Sequence, residues 1–188
     1  MNINAARQSG QALILRAEKP GDGSARNALL DRAMGPKWRR KASHKLRRGR
    51  LPAQGLAFVA CDAAGQIVGT VRLWNVTAGE GGKKALLLGP LAVDPSVKSA
   101  GIGAALMRHA IETARQLGHG AVLLVGDAAY YERFGFMADK TGNLAMPGPY
   151  ERERFLALEL VENALDGASG TLVAAGRKKK PAPVARAA

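Results

Sequence analysis

The chain has few of the residues on which several common protein classes depend. Cys61 is the only cysteine among 188 residues, so no internal disulfide can form, and a reducing, cytoplasmic setting is expected. Aromatic residues make up 5% of the chain against 47% for all hydrophobic residues, so aliphatic side chains and alanine must build the core. No apolar run approaches the ~18 residues of a membrane span, and the polar N-terminus lacks the apolar stretch of a signal peptide, so no membrane association is expected.

Signatures of several enzyme classes are also missing. The three histidines, His44, His109 and His119, are widely spaced, and no HExxH or CxxC occurs, so no metal site is predicted. No serine stands in a GxSxG setting, which argues against a serine hydrolase. No lysine follows Gly103 as a nucleotide-binding P-loop requires, so a nucleotide hydrolase is not supported.

Acidic residues are scarce in two segments that together account for the whole net charge of +13. Segment 37–50 and segment 177–188 are rich in lysine and arginine and contain no acidic residue, whereas the rest of the chain is neutral overall. A nucleic-acid-binding domain would more often spread its basic residues over a folded face. The charge therefore predicts local basic features, and contact with nucleic acid is expected only through a basic tail.

Apolar periodicity and turn residues predict one mixed α/β domain over residues 11–166, with a flexible N-terminus at 1–10 and a basic, disordered tail at 167–188. The first predicted elements are a strand over Ala12–Glu18, a short helix capped by Ser24, and a helix over the basic segment with Trp38, Ala42 and Leu46 along its apolar side. A hairpin with strands GLAFVACD and IVGTVRLW follows, and then a strand interrupted by Gly89-Pro90. The last elements are a helix over Ile102–Leu117 and two further strands, AVLLV and FLALELV, separated by a short helix. Because proline cannot donate to a sheet ladder, the Gly89-Pro90 strand is predicted to bulge or to part from its neighbour.

A strand, a glycine-bearing loop and a helix follow one another over Leu91–Ala110, an order that favours a phosphate site at the helix N-terminus. Gly101 and Gly103 supply only the GxG of a dinucleotide fingerprint, since Leu106 stands where its third glycine would be. On these residues alone, a simple tight turn between strand and helix remains an alternative.

The wider segment VDPSVKSAGIGAALM resembles the coenzyme A loop of the GNAT acyltransferase superfamily, whose pattern is Q/R-x-x-G-x-G/A. Lys98 stands where the pattern has glutamine or arginine. Compared with arginine, lysine keeps the positive charge but lacks the planar guanidinium. A second segment, AYYERFGF over Ala129–Phe136, resembles the tyrosine-bearing segment of the same family. With VRLW, LLLGPLAV and RFLALEL, these segments are similar to the YhbS-like branch of the family.

The resemblance implies the GNAT N-acyltransferase fold, with a splayed, bulged central strand, and N-acetyltransferase activity with acetyl-CoA as the donor and no metal. It implies that backbone amides of Leu91, Ala92 and Val93 bond the pantetheine arm and polarise the thioester. It also implies that Tyr131 is the general acid that protonates the leaving sulfur. The predicted diphosphate-binding residues are Lys98, Ser99, Ala100, Gly101, Ile102, Gly103 and Ala104.

No motif identifies a general base. Asp127, Glu132 and Glu80 are candidates, and a water relay or no dedicated base are alternatives. Asp94, which precedes Pro95, is expected instead to fix a turn.

The acceptor is expected to be a small-molecule or peptide amine, and an acidic one would be attracted by the basic segment. Arg72 and Trp74 alternate on one predicted strand, so both can face the cleft. Two other functions stay open: a nucleic-acid-associated basic protein, and a protein that binds coenzyme A without turnover.

Overall fold

A computed structural model describes residues 13–97 and 101–179. The predicted flexible N-terminus at 1–10, three residues of the coenzyme A loop at 98–100 and the end of the predicted tail at 180–188 lie outside the described residues. Within the described ranges, no helix has the length and apolar character that crossing a bilayer requires.

The predicted strands and helices occur along the described chain in the predicted order, and three short strands that the sequence patterns did not predict are added after the last α-helix. The strands are β1 (Ile14–Ala17), β2 (Ala57–Cys61), β3 (Ile67–Ala78), β4 (Lys83–Val93), β5 (Ala121–Val125), β6 (Asn143–Ala145), β7 (Phe155–Glu159), β8 (Ser169–Thr171) and β9 (Val173–Ala174). The helices are α1 (Gly23–Met34), α2 (Ala42–Lys45), α3 (Ile102–Gln116) and α4 (Ala128–Tyr131).

One mixed sheet organises the molecule. Its strand order is β1-β2-β3-β4-β5-β7, and β9 pairs with β3 beside this path. The β4–β5 pair is parallel, whereas the other pairs in this sheet are antiparallel. A short parallel pair, β6 with β8, lies apart from it. The predicted mixed α/β fold is confirmed.

The amphipathic helix α3 covers one face of the sheet. Its buried stripe follows the predicted helical spacing and consists of Leu106, Met107, Ala110, Ile111 and Ala114. Leu117, the last residue of the predicted helix, is 52% exposed because the helix ends at Gln116. Gly118 follows in the left-handed region at φ +77° and donates its N–H to the Arg115 carbonyl, which ends the helix.

A glycine in β3 sets how closely α3 approaches the sheet. A Cβ on Gly69 would lie 2.9 Å from both the Ile102 and Leu106 side chains, so only glycine leaves room for the first turn of the helix. The N-terminus of α3 is therefore held against the first residues of β3, beside the end of β4, where Gly69 pairs with Val93.

The opposite face of the sheet carries α1 and the basic segment. Leu30 of α1 and Trp38 pack on Ala92 of β4, while Trp74 and Leu87 belong to a larger apolar cluster on the same face. Cys61 is buried on β2.

The basic segment does not form the single helix that its apolar spacing predicts. A 3-10 turn over Pro36–Arg40 is followed by Lys41 in an extended conformation, with ψ near 147°, and only then by α2. Trp38, Ala42 and Leu46 are nevertheless all buried, so the apolar stripe was real and the continuous helix was wrong.

Helix α1 begins one residue before the predicted cap. Asp22, not Ser24, occupies the N-cap position, and it makes no side-chain capping bond. Its carboxylate instead accepts hydrogen bonds from Arg16 at 2.6 and 3.0 Å, an ion pair that sequence spacing did not indicate.

The predicted domain end at residue 166 is also corrected, because residues 167–179 contribute to the fold. β9 pairs with Val76 and Thr77 of β3, and Leu172 is 2% exposed. The Leu51 N–H donates to the Arg177 carbonyl at 2.8 Å. Segment 167–176 is rich in glycine and alanine, which explains why composition alone suggested an earlier boundary.

Candidate active site

The central strand β4 carries a bulge at Gly89-Pro90. Its register with β3 passes from Leu88 opposite Leu73 to Leu91 opposite Val71, so two residues of β4 face Arg72 alone. The predicted bulge is therefore confirmed. The indole N–H of Trp74 donates to the Gly89 carbonyl at 2.6 Å and holds the bulge against β3.

Beyond the bulge, β4 separates from β5. The two strands pair only at Leu86 with Val122 and at Leu87 with Leu123. Past this point β4 continues along β3, while β5 continues along β7. The result is a gap in the sheet at the carboxyl ends of two parallel strands, a place where α/β proteins commonly bind ligands.

A cavity, here called the gap cavity, opens at this separation. It is lined by Met34, Trp38, Lys41, Ser43, Arg47, Leu88, Gly89, Pro90, Leu91, Leu124, Val125 and Tyr131. Tyr131 reaches it from α4, which begins three residues after β5 ends.

Close packing holds the Tyr131 ring in place. A Cβ on Gly126 would lie 2.2 Å from the ring, so glycine is required between β5 and α4. Tyr130 and Phe136 contact the ring edge-on, with centroids 5.0 and 6.0 Å away. Among the described residues, no protein group hydrogen-bonds the Tyr131 hydroxyl, which is therefore available to a ligand.

Burial keeps the Tyr131 phenol protonated. Burial, with smaller contributions from Tyr130 and Asp127, raises the pKa of Tyr131 to about 12, although Arg154 acts in the opposite direction. At neutral pH the hydroxyl is therefore neutral and can donate a proton or a hydrogen bond.

Backbone N–H groups converge at the start of α3. Gly101 takes the left-handed conformation at φ +72°, and its carbonyl accepts the first helical hydrogen bond from Ala105 at 2.9 Å. The N–H groups of Ile102, Gly103 and Ala104 precede that bond and have no partner within the helix. Lys98, Ser99 and Ala100, predicted to share this role, lie outside the described residues.

Gly103 lies directly beneath Tyr130. A Cβ on Gly103 would approach the Tyr130 hydroxyl to 3.0 Å and a Val93 methyl to 3.5 Å. The glycine thus leaves an open surface where the helix start, the end of β4 and the tyrosine pair meet. The predicted backbone donors Leu91, Ala92 and Val93 lie on β4 between the bulge and this surface.

A second cavity of about 210 Å³ opens on the α1 side of the bulge and is here called the arginine cavity. It is lined by Arg26, Asn27, Leu30, Trp38, Arg39, His44, Arg47, Arg48, Gly49, Arg50, Arg72, Trp74, Pro90 and Lys179. Arg72 and Trp74 therefore face a common cavity, as their alternation predicted. Trp38, Arg47 and Pro90 line both cavities, so the two adjoin at the bulge.

The arginine cavity contains a buried ion cluster on one wall. Glu18 accepts hydrogen bonds from both Arg26 and Arg72, including one of 2.6 Å from Arg72 Nε. The Arg72 guanidinium also lies 5.7 Å from the Trp74 ring centroid. One carboxylate thus neutralises only part of the positive charge around the cavity.

His44, for which the sequence gave no functional signal, lies in this cavity. Its ring contacts Trp38 edge-on at 5.7 Å, and its Nδ1 atom is buried without a hydrogen-bond partner among the described residues. Burial, followed by the nearby Arg47, Arg48 and Arg39, lowers the pKa of His44 below the ordinary 6.5. The imidazole is therefore neutral at pH 7.

The predicted general-base candidates do not line either cavity. Asp127 precedes α4 and is exposed, as is Glu132 after it, and Glu80 lies in the turn between β3 and β4, far along both strands from the bulge. Asp94 instead fixes a turn, as expected, because its carboxylate accepts bonds from the Ser96 N–H and hydroxyl.

Side chains that could bind a metal ion form no cluster in the part of the chain that the structure describes. It contains no group of three or more His, Cys, Asp or Glu side chains that could hold an ion.

Known proteins that resemble this chain belong to the family whose loop and tyrosine segments the sequence resembles. The profile of the acetyltransferase (GNAT) family covers residues 26–136. The chain is 30% identical over 158 residues to the uncharacterized N-acetyltransferase YhbS of Escherichia coli K12, covering 84% of this chain and 93% of that protein.

Two solved structures resemble the fold. The crystal structure of E. coli YhbS in complex with CoA has a TM-score of 0.75 and 29% identity, covering 90% of this chain and 93% of that one. A GNAT family acetyltransferase from Brucella melitensis in complex with acetyl-CoA has a TM-score of 0.61 and 27% identity, covering 78% and 87% respectively.

The family profile spans more than half of the chain, from α1 through the tyrosine segment, and includes the bulge, the strand gap and the start of α3. The relatives extend the likeness to almost the whole fold. Sequence and structure thus lead to one conclusion: the protein belongs to the GNAT family and is an N-acetyltransferase.

Proposed function

We propose that the protein transfers an acetyl group from acetyl-CoA to the amine of a small-molecule or peptide acceptor. The observation that carries this proposal is the separation of β4 from β5 with Tyr131 at the gap, beside the free N–H groups of α3. The complexes of two relatives with CoA and acetyl-CoA support the choice of donor.

The start of α3 suits a diphosphate. Ile102, Gly103 and Ala104 offer N–H groups that lack helical partners, and the helix dipole adds partial positive charge. Gly103 leaves a surface that a Cβ would fill, as its 3.0 Å approach to Tyr130 indicates. We propose that these residues, with Gly101 and the segment 98–100, bind the diphosphate of the donor.

The end of β4 suits the thioester arm. Leu91, Ala92 and Val93 pair with β3 on one side, but β5 has left the other side. In a strand, alternate residues direct their N–H and C=O groups to opposite sides, so some of these groups face the gap. We propose that one such N–H donates to the thioester carbonyl and stabilises the negative charge that develops there.

Tyr131 is assigned the proton that the departing sulfur needs. The acceptor nitrogen forms a bond to the acetyl carbon and loses a proton, and the carbon–sulfur bond breaks. The sulfur leaves as a thiolate, whose charge the Tyr131 hydroxyl stabilises by donating a hydrogen bond. The raised pKa of Tyr131 keeps that proton available at neutral pH.

We assign the proton from the amine to His44. It is the one neutral imidazole that lines either cavity, and no carboxylate lines them among the described residues. Because its pKa is lowered, the ring enters the reaction as a base rather than as a cation.

Titration calorimetry with acetyl-CoA, CoA, ATP and NAD tests the donor, and thiol release with an amine panel tests turnover. Saturable binding of the CoA species alone, together with acceptor-dependent thiol release, is the expected result. Binding without release would favour the non-catalytic alternative. Absence of binding would overturn the proposal. Association with nucleic acid and a cytoplasmic setting are separate predictions from the sequence.

A further inference from the structure

The arginine cavity has an unbalanced charge. Six arginines and Lys179 line it, and no aspartate or glutamate does so among the described residues. Some of these cations have partners outside the cavity: Glu18 binds Arg26 and Arg72, and Asp31 binds Arg39 at 2.7 Å.

Arg47 lacks such a partner. It is 6% exposed, and its side chain donates only to Ser43, from Nε to the carbonyl at 3.1 Å and from Nη2 to the hydroxyl at 3.4 Å. Within the described ranges, no carboxylate lies at ion-pair distance from it. Its remaining Nη1 atom lies toward the bulge, 4.0 Å from where a Cβ of Gly89 would stand.

A buried guanidinium without an anion is costly, because the protein interior solvates the charge less well than water does. Burial and the nearby Arg72 lower the pKa of Arg47 to about 10, so it remains charged at neutral pH. The cost is removed if an anion enters the cavity and accepts the free N–H groups, and guanidinium matches a carboxylate or a phosphate in two parallel hydrogen bonds.

We propose that the arginine cavity binds the acceptor through an anionic group, a carboxylate or a phosphate, held by Arg47. The inference rests on the proposed acetyl transfer and names the substrate class: a small amine that also carries an anion. Because Arg47, Trp38 and Pro90 line both cavities, an anion at Arg47 leaves the amine of the same molecule close to the gap cavity.

The same charges assist the chemistry of such an acceptor. Nearby cations disfavour the protonated form of an amine, so the cavity lowers the pKa of the bound ammonium and favours the free base that must attack. A simple cationic amine would meet only this repulsion. An amine with an anionic group gains attraction at Arg47 and keeps the benefit at its nitrogen.

Tryptophan fluorescence offers a direct binding test, because both tryptophans of the chain, Trp38 and Trp74, line this cavity. Inorganic phosphate and succinate are titrated at constant ionic strength. Wild type and Arg115→Gln, which removes an exposed charge on α3, are expected to show a saturable change. Arg47→Gln should weaken it at least tenfold and Arg47→Lys by less. A response that is absent from wild type, or unchanged in folded Arg47→Gln, overturns the inference.

Turnover with matched amines tests the substrate class and separates the two anions. Amino acids are compared with their amides, and glucosamine 6-phosphate with glucosamine. At least one anionic member should exceed its neutral counterpart about tenfold or more in kcat/KM, and the pair that does so identifies the anion. Equal rates within both pairs would overturn the inference while leaving acetyl transfer intact, whereas loss of acetyl-CoA binding would count against the proposed function itself.

Discussion

Replacing Tyr131 by phenylalanine removes one hydroxyl from the gap cavity and little else. That hydroxyl has no hydrogen-bond partner among the described residues, and Gly126, Tyr130 and Phe136 contact the ring, which phenylalanine retains. We therefore expect the free energy of unfolding to change by less than about 0.5 kcal/mol. Any large loss of activity can then be attributed to the proton that the hydroxyl supplies.

The expected loss in kcat is about 100-fold, the lower end of the usual range for general acid catalysis. The pKa of Tyr131 is about 12, well above the ~8.5 of a simple thiol, so full proton transfer from the phenol is unfavourable even to the completely formed thiolate. The phenol therefore contributes mainly as a hydrogen-bond donor in the transition state, worth about 2.7 kcal/mol for a 100-fold effect.

Steady-state kinetics of thiol release, with calorimetry for acetyl-CoA affinity, measures this effect. Tyr150→Phe is the matched control, since Tyr150 packs against Phe155 on the other cluster and lines neither cavity. An unchanged kcat in Tyr131→Phe would refute the role of the phenol as acid. An alkaline loss of activity near pH 10 that disappears in this variant would refute the raised pKa.

Three further predictions concern the loop, the base and the fold. Gly103→Val is expected to weaken acetyl-CoA binding about tenfold by calorimetry, because a Cβ at this position already lies 3.0 Å from the Tyr130 hydroxyl and two further methyl groups do not fit beside it. Gly21→Val, whose Cβ meets open space, should bind normally. In wild type, kcat/KM is expected to fall as the pH drops below ~6.5, because the pKa of His44 is lowered and the base becomes protonated there. His44→Gln should remove this fall, and an unchanged pH profile would exclude His44 as the base. Asp94→Asn should reduce the free energy of unfolding at pH 7 by about 1 kcal/mol, since Arg32 and Ser96 lower the pKa of Asp94 from 3.8 to about 2. A carboxylate with a depressed pKa stabilises the fold in full above its unfolded pKa, and this stabilisation is lost as the pH falls to its folded pKa. Denaturant titrations should therefore show the difference between wild type and Asp94→Asn vanishing between about pH 4 and about pH 2.

Features carried by contiguous residues were predictable from the sequence. The hairpin, the β4 bulge and helix α3 each depend on local periodicity or on one glycine or proline, and the structure confirms all three. The placement of Arg72 and Trp74 in one cavity also followed from strand alternation alone.

Features that depend on contacts between distant segments were not predictable. Arg47 and His44 belong to the basic segment, which the sequence predicts only as a helix with a local excess of positive charge, yet Arg47 is buried beside the β4 bulge. The extended conformation of Lys41 turns the chain so that α2 packs over the sheet rather than continuing the preceding 3-10 turn. No local pattern encodes that reversal, because it depends on Trp38 packing against Ala92, which lies 54 positions later in the chain.

The bulge in β4 connects donor and acceptor chemistry through a few rigid contacts. Trp74 holds the Gly89 carbonyl at 2.6 Å, so that carbonyl is occupied by β3 and is not available to the gap. Pro90 has no N–H to offer, which makes Leu91 the first residue past the bulge whose backbone can donate. The Arg47 guanidinium approaches the same bulge from the α2 side. An acceptor anion at Arg47 and a thioester carbonyl at the end of β4 would therefore be positioned by one short segment of backbone, and a shift of that segment would misalign both reactants together.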